Sequence, residues 1–316
     1  MNINNKSSAE DILKRLQRGI EINYNPFDFS DEGWSSSEVV KLINESKNSG
    51  IIRRFGAVFD SGALGYKSTL CAVQILENQI EEIKYFFEKE NGVTHAYIRE
   101  GEPNLWFTYT GEIASFDQEL QRLNSFFSND IVSMPATKRF KIRAVFDGKS
   151  GDNRNYNDLQ PLSITEKHKE IIRFFQDDLI VTENIFGFYA EKLGVPKDEL
   201  LDCLSNWQKY GALRRIAAVV RHRSVGVKGN AMCAWNVESE KVEYFGKILA
   251  GMPEVSHCYE RDVPEDFSYN LFAMLHGKNI DEINDLFAQL EMNGLENGKK
   301  FTSVVEIKKS SPKYFV

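Results

Sequence analysis

The residues best suited to chemistry come in two matching sets. His95-Ala96-Tyr97-Ile98-Arg99 recurs as His257-Cys258-Tyr259-Glu260-Arg261, and the pair Arg53-Arg54 recurs as Arg214-Arg215. Alternate residues of a strand share a face, so His-x-Tyr-x-Arg lines one wall with an imidazole, a phenol and a guanidinium. An imidazole titrating near pH 6.5 can hand over a proton at neutral pH. A tyrosine hydroxyl can hydrogen-bond the same partner, and an arginine fork matches a carboxylate bidentately. The set suits an acid-assisted reaction on a carboxylate-bearing molecule. A solitary strand histidine is more often packed than functional, but this triplet is duplicated in a chain with only 5 histidines. Alternation also sends the two arginines of each pair to opposite faces, so about half of them are expected to reach a ligand.

The elements that position these residues are themselves written twice. Gly50 to Val58 recurs as Gly211 to Val219, Val93 to Glu100 as Val255 to Asp262, and Asn104-Leu105-Trp106-Phe107 as Asn270-Leu271-Phe272-Ala273. Three collinear matches mark a tandem duplication. The first half is read as 1–147 and the second as 162–316. Between them, 148–161 is rich in Gly, Asn, Asp and Ser and reads as a linker. Each half opens with helical patterns, over about 8–60 and 163–221. Ser35 with Glu38 has the spacing of a capping box, and a strand carrying Arg-Arg follows, as in a winged helix-turn-helix. The remainder alternates strand and helix, over about 66–147 and 228–316. The predicted strands of the first half are Thr69 to Leu76, Val93 to Arg99, Leu105 to Thr110 and Arg139 to Phe146; its predicted helices are Ile80 to Glu90 and Phe116 to Phe127. The second half repeats this from Ala231 to a last strand over Ser303 to Lys308. The order βαββαβ is ferredoxin-like. The fold class is therefore α+β, a tandem repeat of winged helix-turn-helix plus ferredoxin-like domain.

Composition narrows the classes. The chain has 316 residues, 42% hydrophobic and 27% charged, with a net charge of −7. The acidic balance gives no general affinity for nucleic acid. No apolar run approaches the ~18 residues a membrane helix requires, so no membrane partner is expected. The amino terminus has no apolar signal core. Cys71, Cys203, Cys233 and Cys258 lie far apart and form no CxxC, which argues against a zinc ribbon or a disulfide framework. The expected compartment is the cytoplasm.

A helix-turn-helix followed by a ferredoxin-like domain resembles the Lrp/AsnC regulators, and the motifs resemble the siroheme decarboxylases more narrowly. Ile52-Arg53-Arg54-Phe55-Gly56-Ala57, Leu64-Gly65-Tyr66, His95-x-Tyr97-x-Arg99 and Asn104-Leu105-Trp106-Phe107-Thr108 are similar to one subunit of that family. His257 to Arg261, Tyr269 to Gly277 and the ending Glu306 to Phe315 are similar to its partner. Phe267-Ser268 departs from the family's usual Trp-Pro, and Ala96 replaces a polar residue. The resemblance implies a lyase that takes carbon dioxide from two acetates of siroheme, giving 12,18-didecarboxysiroheme for haem d1 or an alternative route to haem b. The two subunits, separate chains in many members, are here fused into a pseudo-dimer; whether such chains pair again as a homodimer is left open.

For that substrate the candidate catalytic residues are His257, His95, Tyr259 and Tyr97. Candidate binding residues are Arg261, Arg99, Arg53, Arg54, Arg214, Arg215, His222 and Asn270. Loss of carbon dioxide from a pyrrole acetate leaves carbanion character that needs an electron sink and then a proton. The macrocycle is the sink, so no cofactor is required, and iron enters within the siroheme. His95 or His257 could instead bind that iron. The second half has His222 opposite Ser61, and His276 near the place of Thr110, and is expected to hold the working pocket. Two rival readings use the same residues: a transcription regulator of the Lrp/AsnC type and a non-catalytic tetrapyrrole carrier. DNA binding is not expected, because Ser36 to Asn48 carries Glu38 and Glu45 against Lys41 and Lys47, and Lys197 to Lys209 carries Asp198, Glu199 and Asp202.

Overall fold

The computed structural model describes residues 6–142, 162–220, 229–265 and 267–316; the expected linker 148–161 and His222 lie outside these. The first half consists of α1 (Ala9–Arg18), α2 (Ser36–Asn48), β1 (Ile52–Phe59), β2 (Tyr66–Val73), α3 (Ile80–Lys89), β3 (Val93–Arg99), β4 (Leu105–Glu112), α4 (Phe116–Asn124) and β5 (Val132–Ile142). The second consists of α5 (Glu166–Phe175), α6 (Ile185–Leu193), α7 (Lys197–Lys209), β6 (Leu213–Val220), β7 (Gly229–Trp235), α8 (Ser239–Gly251), β8 (Val255–Arg261), β9 (Leu271–Gly277), α9 (Ile280–Met292) and β10 (Gly298–Lys309).

α2 starts at the expected reciprocal cap: the Glu38 N–H donates to Ser35 Oγ at 3.3 Å, and the Ser35 N–H donates to Glu38 Oε2 at 2.9 Å. In the second half α6 and α7 meet across Gly194 to Pro196 as a helix-turn-helix. The first half departs from this expectation. Between α1 and α2 stands only a 3-10 turn, Ser30–Glu32. The side chains of Asn23 and Asp28 accept the backbone N–H groups of Asn25 and Ser30, local turns that compete with a helix. The strand after the helices is also not a wing hairpin. β1 pairs antiparallel with β6, from Ile52↔Val220 to Phe59↔Leu213, and the two form a ribbon between the halves.

The ferredoxin-like sets have strand orders β5-β2-β4-β3 and β10-β7-β9-β8. Their fourth strands start earlier than the sequence suggests, and the added length joins the halves. β5 pairs with β2 from Val132 to Pro135, then leaves that sheet and pairs with β8 from Ala136 to Ile142. β10 pairs with β7 from Gly298 to Thr302, then with β3 from Ser303 to Lys309. The strands close into a single barrel, which leaves it without an unpaired edge. The carriers of the two His-x-Tyr-x-Arg sets, β3 and β8, stand on opposite walls.

Helices cover the outside, where Ile83 and Phe87 of α3 pack on Cys71 and Phe107, and Val242 of α8 and Ile283 of α9 pack on Cys233 and Cys258. The inside has its own core of Trp106, Met134, Met232, Phe272 and Phe301, drawn from strands of both halves. The carboxy-terminal tail then ties the layers together. Tyr314 is buried, its hydroxyl lies 2.9 Å from Ser61 Oγ, and Gln176 clasps its backbone. No helix among the described residues is long and apolar enough to cross a membrane.

Candidate active site

A β-bulge comes before each histidine, where the register slips between Val93 and His95 and between Val255 and His257. The bulge lets the preceding hydroxyl reach the imidazole: Thr94 Oγ1 lies 3.2 Å from His95 Nδ1, and Ser256 Oγ lies 2.8 Å from His257 Nδ1. The triplets face the barrel interior. Directly paired residues share a face, and Tyr97 pairs with Trp106 while Tyr259 pairs with Phe272, both members of the inner core.

On the β3 wall, His95 keeps accessible surface although protein crowds it on its other sides. That desolvation first, and then the charges of Lys309 and Arg53, hold its imidazole down to about 4. It is therefore neutral at pH 7. Arg53 reaches in from the ribbon, with Nη1 donating to the Lys309 carbonyl at 3.3 Å. Burial, then Glu306 beside it, pushes the Tyr97 hydroxyl up to about 12, so it remains a donor.

The β8 wall repeats the plan with different groups. The His257 and Tyr259 rings lie 6.2 Å apart at 22°. Burial raises the Tyr259 hydroxyl against the opposing pull of Arg261, Arg139 and Arg214. Arg214 comes from the ribbon and Arg139 from the exchanged strand β5. Arg214 Nη2 donates to Asp60 Oδ2 at 2.6 Å, and Arg139 stands 3.9 Å from the same oxygen. Ser256 Oγ also lies 2.7 Å from His276 Nε2.

The third position of each triplet has a structural task that its sequence does not signal. Arg99 is 6% exposed, and its Nη1 donates at 2.9 Å to the Phe301 carbonyl and to Ser303 Oγ, where β10 changes sheets. Arg261 Nη1 donates at 2.8 Å to the Met134 carbonyl, where β5 changes sheets. Each guanidinium lies over its own tyrosine, 5.1 Å and 4.9 Å from the ring centroids. Burial lowers both arginines to about 10, so both stay charged at neutral pH.

Several expected binding residues are placed elsewhere. Arg54 donates to the carbonyls of Ala57 and Gln176. Arg215 packs against Gly19 at the end of α1, the opposite face of the ribbon from Arg214. The Asn270 side chain both donates to and accepts from the Val237 backbone, as Asn104 does with Ile75. Both asparagines fasten the start of a strand and are not on the wall. In their place the exchanged strands bring Arg139, Glu306 and Lys309, and the ribbon end brings Asp60. The only sequence signal for the former was the alternation of the long fourth strands; Asp60 follows a run of apolar strand residues with no signal of its partner.

The chain is similar to several known proteins. A family described as AsnC-like ligand binding domain matches residues 63–141 and again 224–308. A siroheme decarboxylase of Hydrogenobacter thermophilus is 34% identical over 318 aligned residues, 96% of this chain and 94% of that protein. The siroheme decarboxylase beta subunit of Methanosarcina barkeri is 39% identical over 142 residues, 45% of this chain and 93% of that subunit. Among solved structures, the siroheme decarboxylase NirDL in complex with an iron-uroporphyrin III analogue superposes with a TM-score of 0.78 at 32% identity, covering 98% of this chain and 95% of that one.

Proposed function

The chain belongs to the siroheme decarboxylase family, and on that premise we propose that it decarboxylates siroheme in the barrel mouth beneath the β1–β6 ribbon. The observation that carries the reading is the convergence of ribbon arginines on both walls, Arg53 beside His95 and Tyr97, and Arg214 with Arg139 beside Tyr259. Siroheme bears eight carboxylates, and these cations pair with them; the buried Arg99 and Arg261 add positive potential below. Bidentate carboxylate binding fixes the acetates against the walls. When the bond to the carboxyl carbon breaks, its electron pair enters the conjugated macrocycle, and the methylene carbon then takes a proton to become a methyl group. The macrocycle is the electron sink, so the reading calls for no separate cofactor, and the iron belongs to the substrate.

The walls divide the work. His257 is assigned as the acid, with its Nδ1 held against Ser256 and its ring beside Tyr259. His95 stays neutral and offers a lone pair, to the siroheme iron or to a hydrogen-bond donor of the substrate. Tyr97 and Tyr259 donate to carboxylates. The helical layer is read as scaffold, not as a DNA reader: Lys47 of α2 turns inward to the Leu179 carbonyl at 2.7 Å and to Asp178. Four free thiols support a reducing, cytoplasmic setting.

The test is anaerobic incubation of the full chain with siroheme, with products followed by chromatography and mass spectrometry. Two successive losses of carbon dioxide are expected, with His257→Ala slower than His95→Ala. Tight binding with no loss of mass would make the chain a carrier and overturn the reading.

A further inference from the structure

The two walls differ in what stands behind the histidine. Ser256 is 1% exposed, and its hydroxyl touches two imidazoles at once, His257 Nδ1 at 2.8 Å and His276 Nε2 at 2.7 Å. His276 sits on β9, half-buried, with its backbone N–H held by the Glu254 carbonyl at 2.9 Å. Beyond it Lys278 is exposed. The three groups form a continuous hydrogen-bonded path from the inner wall towards the surface. On the first wall Thr94 reaches His95 at 3.2 Å, but the position matching His276 is Thr110, which is buried and bonded to Ser68 Oγ at 2.6 Å. Among the described residues, no hydrogen bond carries that chain on to a second imidazole.

We propose that Ser256 and His276 form a proton relay that supplies His257, so that the β8 wall is where the carbon that loses its carboxyl group is protonated. The inference rests on the decarboxylase reading. Each turnover consumes one proton at a carbon beneath the ribbon, so the acid must be recharged from outside. In the transfer, His257 Nε2 gives its proton to the methylene carbon, whose electron pair comes from the broken bond to carbon dioxide. His257 Nδ1 takes the Ser256 hydroxyl proton, and Ser256 Oγ takes the Nε2 proton of a His276 imidazolium. His276 is left neutral and regains its proton from solvent, and the His257 tautomer resets before the next cycle. In this relay Ser256 and His276 are positioning residues that act through His257.

The experiment is steady-state decarboxylation by the full chain with siroheme under anaerobic conditions, comparing wild type, His276→Gln, His276→Ala, Ser256→Ala and Ser256→Thr. Glutamine can hold the hydrogen bond but cannot pass a proton. His276→Gln and Ser256→Ala should lower kcat by about tenfold or more, within the range general acids contribute, with KM unchanged. Added imidazole should restore His276→Ala, and Ser256→Thr, which keeps the hydroxyl, should stay near wild type. Packing alone would not respond to imidazole. Wild-type kcat in His276→Gln overturns the relay, as does a loss in His276→Ala that imidazole leaves in place. If His276→Ala fails to fold, His276→Gln and the two Ser256 variants decide alone. A wild-type chain that binds siroheme without releasing carbon dioxide overturns the decarboxylase reading and the relay with it, an outcome separate from any variant's defect.

Discussion

Asp60 is the acid on which the cations of the β8 wall depend. Its carboxylate is 3% exposed and accepts from Arg214 Nη2 at 2.6 Å and from the Ala63 N–H at 3.1 Å, with Arg139 3.9 Å away. Removing one partner of a buried pair leaves the other charge uncompensated and costs about 3–5 kcal/mol. Arg214 and Arg139 are 18% and 35% exposed, so water recovers part of that, and Asp60→Ala is expected at the lower end, about 3 kcal/mol. Denaturant unfolding of the full chain measures it. In a double-mutant cycle, Arg214→Met placed on Asp60→Ala should cost less than Arg214→Met alone by about 1.5 kcal/mol. Siroheme binding should become more sensitive to salt, because the mouth gains net positive charge. A destabilisation under about 1 kcal/mol, the level of an exposed ion pair, with no coupling to Arg214, would refute the claim that Asp60 neutralises this wall.

Gly56 of β1 lies where any side chain would strike the Asp177 carbonyl oxygen. Gly56→Ala should cost about 1–3 kcal/mol in chemical denaturation, although its duplicate position is already Ala217. Gly251, at the end of α8, has nothing within 4 Å, so Gly251→Ala should instead add about 0.5 kcal/mol. Because the folded protein holds His95 near 4 and the unfolded chain near 6.5, the unfolded state binds more protons between those values. Stability should rise from pH 4 to 6.5 and level off above, and a pH series of melting temperatures on His95→Gln should lose that contribution. Tyr314→Phe keeps the ring contacts with Phe59 and Tyr66 but deletes the bond to Ser61, at a cost of about 1 kcal/mol by the same unfolding assay.

Local pattern carried much of the fold. Val93–Arg99 has the bounds that alternation indicates, the helix expected from Ile80 to Glu90 runs from Ile80 to Lys89, and the Ser35 cap is where its spacing puts it. The exchange of β5 and β10 was not legible, because the choice of a pairing partner depends on chain far away in sequence, and a strand of alternating residues looks the same in either sheet. The site suffered in proportion. Arg139 and Lys309 reach their walls only through that exchange. Ser256 stood one residue from a histidine, where alternation sends it to the other face; the bulge brings it back. Asn270 illustrates the opposite error: a polar residue beside a motif, spent on holding the backbone of Val237.

The strand exchange closes the barrel only when both halves are present, and here a single covalent chain carries both. Encounter between the halves becomes intramolecular, at an effective concentration of order millimolar, so the assembled mouth survives dilution that would separate a pair of subunits. Fusion also releases the two walls from identity. In a homodimer every substitution appears at both symmetry-related sites, and a histidine gained on one wall is forced on the other. In the duplicated chain Thr110 and His276 could diverge independently, leaving one wall with a hydroxyl and the other with an imidazole.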